Sequence, residues 1–130
     1  MTDAEINEAV ARKLGWDDLH ICQEEDSRFY QSLCGQKYDD KFKMKLTKQV
    51  PDYCHSISAA WEIVEWLRIH NYCVVILSPG GTDFFNYFVA HSEWRVVVVE
   101  SLVTAQSIVS NPTEAETAPM AICLAFLKLP

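Results

Sequence analysis

The stretch Ser56-Ile57-Ser58-Ala59-Ala60-Trp61-Glu62-Ile63-Val64-Glu65-Trp66-Leu67-Arg68-Ile69-His70-Asn71-Tyr72-Cys73-Val74-Val75-Ile76-Leu77 carries two periodicities in succession. Ala60, Ile63, Val64 and Leu67 recur at helical spacing, with Trp61 alongside, and Ser56 or Ser58 can cap the helix start. Asn71 is placed to stop that helix near Ile69. The run Cys73–Leu77 then changes character: it is short, apolar and β-branched, which predicts a buried strand. A helix and a strand this close, each needing cover for its apolar side, indicate an α+β fold.

The flanks extend the pattern. Thr2-Asp3-Ala4-Glu5 is a capping box, in which hydroxyl and carboxylate satisfy each other's backbone N–H groups. Ile6, Ala9, Val10 and Leu14 follow as one stripe, and Gly15 sits where a left-handed cap ends a helix. A helix over about 3–14 is predicted. At the other end, Thr117 caps a last helix with Pro119 in its first turn and a core stripe of Met120, Cys123, Leu124 and Leu127. Asp18–Cys22 and Lys41–Leu46 alternate like short strands. Phe84–Ala90 and Arg95–Val99 read as an antiparallel pair around a connection at His91–Trp94, and Leu102–Val109 as a short helix. The expected fold is a single α+β sandwich domain over residues 1–130, with a mostly antiparallel sheet of three to four strands and three main helices.

The chain's 130 residues suffice for one core without staples. Hydrophobic residues make up 49% and charged residues 22%, which excludes intrinsic disorder on composition. The formal net charge of −7 argues against a phosphate-backbone binder. Against that trend, Lys37, Lys41, Lys43, Lys45 and Lys48 place five of eleven positive charges within twelve residues. Such a stretch can meet an anion, but lysines also protect an edge strand from pairing. No signal-peptide pattern opens the chain, and no apolar run approaches the roughly 20 residues that span a bilayer. Five irregularly spaced cysteines then read as reduced thiols in a cytosol.

Three segments, in order, carry a family resemblance: Thr2–Asn7 with Lys13-Leu14-Gly15-Trp16; Val50-Pro51-Asp52-Tyr53 with Ala59–Glu65; and Ala115–Cys123. Together they resemble the phage ABA sandwich family and, more distantly, the Nin-region accessory proteins of lambdoid phages. The resemblance implies a small phage or prophage protein built as an α/β sandwich. It brings no catalytic residues, and residues 17–49 match nothing in it. Trp16, Trp61 and the apolar face of the last helix are expected to interlock as core, as aromatic residues at helical spacing mostly do.

Candidate chemistry is sparse. His20-x-Cys22 and Cys54-His55 offer soft ligands but lack the C-x₂₋₄-C knuckles of structural zinc sites, so no metal or cofactor is expected. Cys54 beside His55 is a poor nucleophile–base pair, because adjacent side chains do not face each other, and Cys22 or Cys34 with His91 has no motif behind it. Ser78-Pro79-Gly80-Gly81-Thr82 lacks the phosphate-loop glycine patterns and reads as a turn. A ligand-binding cluster is the remaining option: Tyr53, His91, Trp94 and Arg95, with rings to stack on a base and cations to hold phosphate. The functional expectation is a non-enzymatic phage accessory protein in the host bacterial cytosol. It would bind a nucleotide-type signal in counter-defence, with no membrane association and a homo-oligomeric form as an option. The alternatives are an acidic protein–protein inhibitor of a host factor, using Glu24, Glu25, Asp26, Asp39 and Asp40, and a small hydrolase or zinc protein.

Overall fold

A computed structural model describes residues 1–23, 25, 31–80, 82–83, 86–90, 93–100 and 112–130. The fold is α+β: the described residues form three helices, two three-stranded antiparallel sheets and a two-stranded ribbon. The backbone groups into two compact units, Met1–Asp52 and Tyr53–Pro130.

Unit 1 opens with α1 (Asp3–Lys13). Thr2 Oγ1 accepts from Glu5 N and Glu5 Oε2 accepts from Thr2 N, so the capping box forms. At the other end Gly15 takes φ +98°, while Trp16 N donates to Ala11 O and Gly15 N to Arg12 O. These two bonds satisfy the last carbonyls as a Schellman motif does, and the left-handed residue between them favours glycine. Ile6, Val10 and Ala11 are buried; Ala9 and Leu14 of the expected stripe are half-buried.

Three strands complete unit 1: β1 (Asp17–Ile21), β2 (Leu33–Asp39) and β3 (Met44–Gln49), in the order β1-β2-β3. The central strand β2 has no clean alternation of apolar residues and is invisible to periodicity. Gly35 makes its position possible: a Cβ there would lie 2.7 Å from Leu19 Cδ2 and 3.0 Å from Asp17 O. The strand expected over Lys41–Leu46 begins later, at Met44, because Asp39 bends the chain first. Its Oδ1 accepts from Lys41 N at 2.9 Å and Phe42 N at 3.2 Å, closing a turn before β3. β3 is an edge of this sheet and carries Lys45 and Lys48, in keeping with lysine protection of an exposed edge.

Unit 2 holds α2 (Ile57–Ile69), β4 (Tyr72–Leu77), β5 (Thr82–Asp83), β6 (Asn86–Ala90), β7 (Trp94–Glu100), β8 (Thr113–Ala115) and α3 (Ala118–Leu127). Ser56 Oγ accepts from Ala59 N, and Asn71 leaves the helix at φ +67°, so both ends of α2 fall where the sequence places them. β7 lies between β4 and β8, and β6 pairs with β5. The pairing of 84–90 with 95–99, expected from proximity, is therefore replaced by pairing with β4. Val96, Val97 and Val98 are all fully buried, so β7 is covered on both faces and belongs at a sheet centre. β4, expected as a buried strand, is half-buried along its length. The helix expected over Leu102–Val109 lies outside the described residues.

Helices α2 and α3 pack on this sheet and on each other, burying Ala60, Ile63, Leu67, Ile122 and Phe126. Of the stripe expected on α3, Cys123 is buried while Met120, Leu124 and Leu127 are half-buried. The helix is apolar nearly all round, and such a helix carries no facial signal in its sequence. Trp61 is corrected more sharply: it is 50% exposed. It stands one residue, roughly 100° of helix turn, from the buried Ala60 and so leaves the core side. Trp16 is buried as expected, within unit 1.

Candidate functional site

The four residues of the expected ligand cluster have different surroundings. Tyr53 is fully buried, and its hydroxyl donates to Glu62 Oε2 at 3.2 Å, so its ring offers no open face. Trp94 is half-buried and opens β7, opposite Ala115, instead of lying in a connection. Arg95 pairs across the sheet with Glu114, and its guanidinium donates to that carboxylate. His91 lies outside the described residues. Trp94 and Arg95 thus adjoin on one strand, with Arg95 engaged by its own sheet.

The soft ligands fall in both units. His20 and Cys22 belong to unit 1, whereas Cys54 and His55 belong to unit 2. His20 Nδ1 lies 2.6 Å from its near neighbour Asp18 O, Cys54 is fully buried and His55 is exposed. Among the described residues no group of three or more His, Cys, Asp or Glu is arranged to hold a metal ion. Cys34 sits opposite His20 on β2, and burial pushes its thiol up, with the Cys22 thiol beside it adding to the rise. That raised value keeps Cys34 protonated and unreactive at neutral pH. In the turn after β4, Gly80 takes φ +81°, and among the described residues no helix starts there to supply a dipole for phosphate.

Unit 1 contains a feature that motif reading did not find. A cavity of about 360 Å³ lies among the first turns of α1, the ends of β1 and β3, and the start of β2. Ile21, Leu33, Val50 and Pro51 give it an apolar lining, and Glu5, Glu8 and Asp52 line it with carboxylates. Asn7 Nδ2 donates to Asp52 Oδ1 at 3.0 Å and ties the helix to the segment after β3. Glu8 Oε1 accepts from Arg12 at 2.6 Å, and Glu5 serves the cap through Oε2. A lining that mixes apolar side chains with carboxylates suits a cationic side chain with an apolar stem better than a phosphate. The sequence signal nearest to it is Val50-Pro51-Asp52, where the proline breaks a strand and which also forms part of a resemblance segment; neither reading points to a cavity.

At the opposite end of β2 and β3 stands a surface of reversed sign. The turn Asp40–Lys43 projects Phe42, which is 60% exposed, between Lys41 and Lys43. Asp39 fastens it: besides the two turn amides, its Oδ2 accepts from Lys48 Nζ at 2.7 Å. That lysine hydrogen bond, with the Phe42 amide next, holds the Asp39 carboxyl below its ordinary range. Lys43 occupies the left-handed region at φ +53°, where a non-glycine residue is uncommon.

No protein-family model, curated protein or solved structure matches the chain. Among the described residues, no helix is long and apolar enough to cross a membrane.

Proposed function

We propose that this chain is a non-enzymatic phage accessory protein that acts in a bacterial host by binding a host protein through its acidic surface. The observation that carries this reading is the carboxylate-lined cavity of unit 1, set in a chain of net charge −7. Glu5, Glu8 and Asp52 would receive lysine or arginine side chains of the partner. Their long-range field would steer a basic surface toward the site. A host factor that normally contacts nucleic acid presents such a basic surface, so occupancy here would block it. The phage origin rests on the three sequence segments that resemble the ABA sandwich family.

The nucleotide-signal reading keeps narrower support, from Trp94 and Arg95 side by side on β7. Arg95 already neutralises Glu114 there.

The test is native mass spectrometry of the purified chain after incubation with host-cell extract and with a panel of linear and cyclic nucleotides. The expected result is a retained basic host polypeptide, released by salt and lost in Glu8→Lys/Asp52→Lys. A nucleotide adduct abolished by Trp94→Ala would replace this reading with the sequestering one. Conversion of an added compound would make the chain an enzyme.

A further inference from the structure

We propose that the β2–β3 hairpin tip of one copy of this chain, Phe42 between Lys41 and Lys43, docks into the acid-lined cavity of a second copy. The two surfaces complement each other in sign and in polarity. Residues 37–48 hold five lysines against two aspartates; Lys45 is paired with Asp17 and Lys48 with Asp39, so the cations that flank the ring at the turn are Lys41 and Lys43. Phe42 is 60% exposed, with Lys41 Nζ 5.6 Å from its ring centroid. Tyr38 and Met44 nearby are each 55% exposed, on opposite faces of the hairpin by their register, so Phe42 is the apolar side chain that the turn itself presents. The cavity offers the counterpart, with Leu33, Val50 and Pro51 for a ring and, facing the ammonium groups, the carboxylates of Glu8 and Asp52, which already accept from Arg12 and Asn7.

The tip cannot reach the cavity of its own chain. The cavity meets β2 at Leu33 and the tip begins at Asp39, six residues along one strand. At about 3.3 Å per residue the ends stand roughly 20 Å apart, and a paired strand does not fold back on itself. The partner must therefore be another molecule, and this chain itself supplies one of matching chemistry.

The tip is also prepared to bind at low entropic cost. Asp39 clamps the turn through the Lys41 and Phe42 amides and the Lys48 ammonium, so Phe42 is presented on a fastened loop. Lys43 stays in a left-handed conformation that glycine or asparagine would fill more easily. A lysine held there against backbone preference keeps a cation on each side of the ring.

Because tip and cavity are different surfaces, the contact is heterologous: it propagates head to tail unless the rotation closes a ring. One aromatic anchor with a charged rim makes a small interface, so association is weak and reversible. This inference stands without the host-binding reading, although both use the same cavity, and self-association would mask that cavity from a partner.

Sedimentation velocity of the purified chain alone tests it, with no host extract present. The average mass is expected to rise with concentration, and association to weaken about tenfold or more on raising salt from ~0.05 to ~0.5 M. Phe42→Ala removes an exposed side chain, leaves circular dichroism unchanged and weakens association by about tenfold or more. Lys41→Glu/Lys43→Glu and Glu8→Lys/Asp52→Lys are each expected to be monomeric alone and to associate when mixed. Wild type that stays monomeric to about 1 mM in low salt, a range covering the weak interfaces of this size, overturns the proposal. So does association that Phe42→Ala leaves intact, or a folded pair of reversed variants that do not recover it on mixing. Binding of a still monomeric chain to anionic phospholipid vesicles or a single-stranded oligonucleotide, lost in Phe42→Ala, would assign the tip to that anion instead.

Discussion

The two units are stabilised in different ways. In unit 2 the described residues include Tyr53, Ile63, Leu67, Val96, Val97, Val98, Ile122 and Phe126, each at most 1% exposed. Among the described residues of unit 1 the buried apolar set is shorter: Ile6, Val10, Ala11, Trp16, Cys34 and Val50. Its definition comes from directed polar contacts: the capping box on α1, the Schellman bonds at Gly15, and the Asp39 clamp on the hairpin. Burial of apolar area is non-directional and tolerates exchange of one hydrocarbon for another. Caps and clamps depend on single atoms. Unit 2 should therefore answer to volume, and unit 1 to the identity of a few polar residues and one glycine.

The largest effect is expected in unit 2. Phe126→Ala empties a fully buried site on α3 and should cost about 3–5 kcal/mol, read as a lowered midpoint in denaturant unfolding. A loss below ~1 kcal/mol would show that burial is not what holds unit 2, since a cavity of that size is otherwise costly. Next comes Gly35→Ala in unit 1, where the added methyl meets Leu19 and the Asp17 carbonyl. It should cost about 1–3 kcal/mol and raise hydrogen exchange across β1, β2 and β3. Neutral behaviour would mean that this sheet gives way more easily than close packing allows.

Two smaller effects sharpen the same contrast. Thr2→Ala removes half of the capping box and should destabilise α1 by about 1 kcal/mol, visible as faster exchange of its first-turn amides. The last is a pH effect. The Asp39 carboxyl is held below its ordinary value, so its contribution is present above about pH 4 and is lost as pH falls through the depressed value. The Lys41 and Phe42 amides should then lose their protection against exchange, relative to the intrinsic rate at the same pH, while Asp39→Asn makes that step disappear. An acid step that persists in Asp39→Asn would assign the titration to another carboxylate.

Legibility followed the same physical division. Both ends of α1 and α2 were readable because caps are local: a hydroxyl, a carboxylate three residues on, a glycine or asparagine at the exit. Strand β2 was not readable, since Leu33–Asp39 has neither alternation nor an apolar run, and its central place depends on Gly35 admitting Leu19 from a neighbouring strand. The ligand cluster was assembled from residue types, and the structure gave two members other partners: Glu62 for Tyr53 and Glu114 for Arg95. Those partners lie nine and nineteen residues away, beyond any motif window. The unit 1 cavity drew on four separate segments, none distinctive alone.

The sequence by itself determined the α+β class, the limits of α1 and α2, the start of α3 and the lysine-rich character of the β3 edge. Each of these depends on neighbours within about one helical turn or on a side chain's own chemistry. Only the tertiary structure decided that β7 pairs with β4 and β8, that Trp61 leaves the core, and that carboxylates from α1 and from the segment after β3 share one cavity. Those outcomes depend on which distant surfaces meet, and one-dimensional order does not encode that as a local pattern.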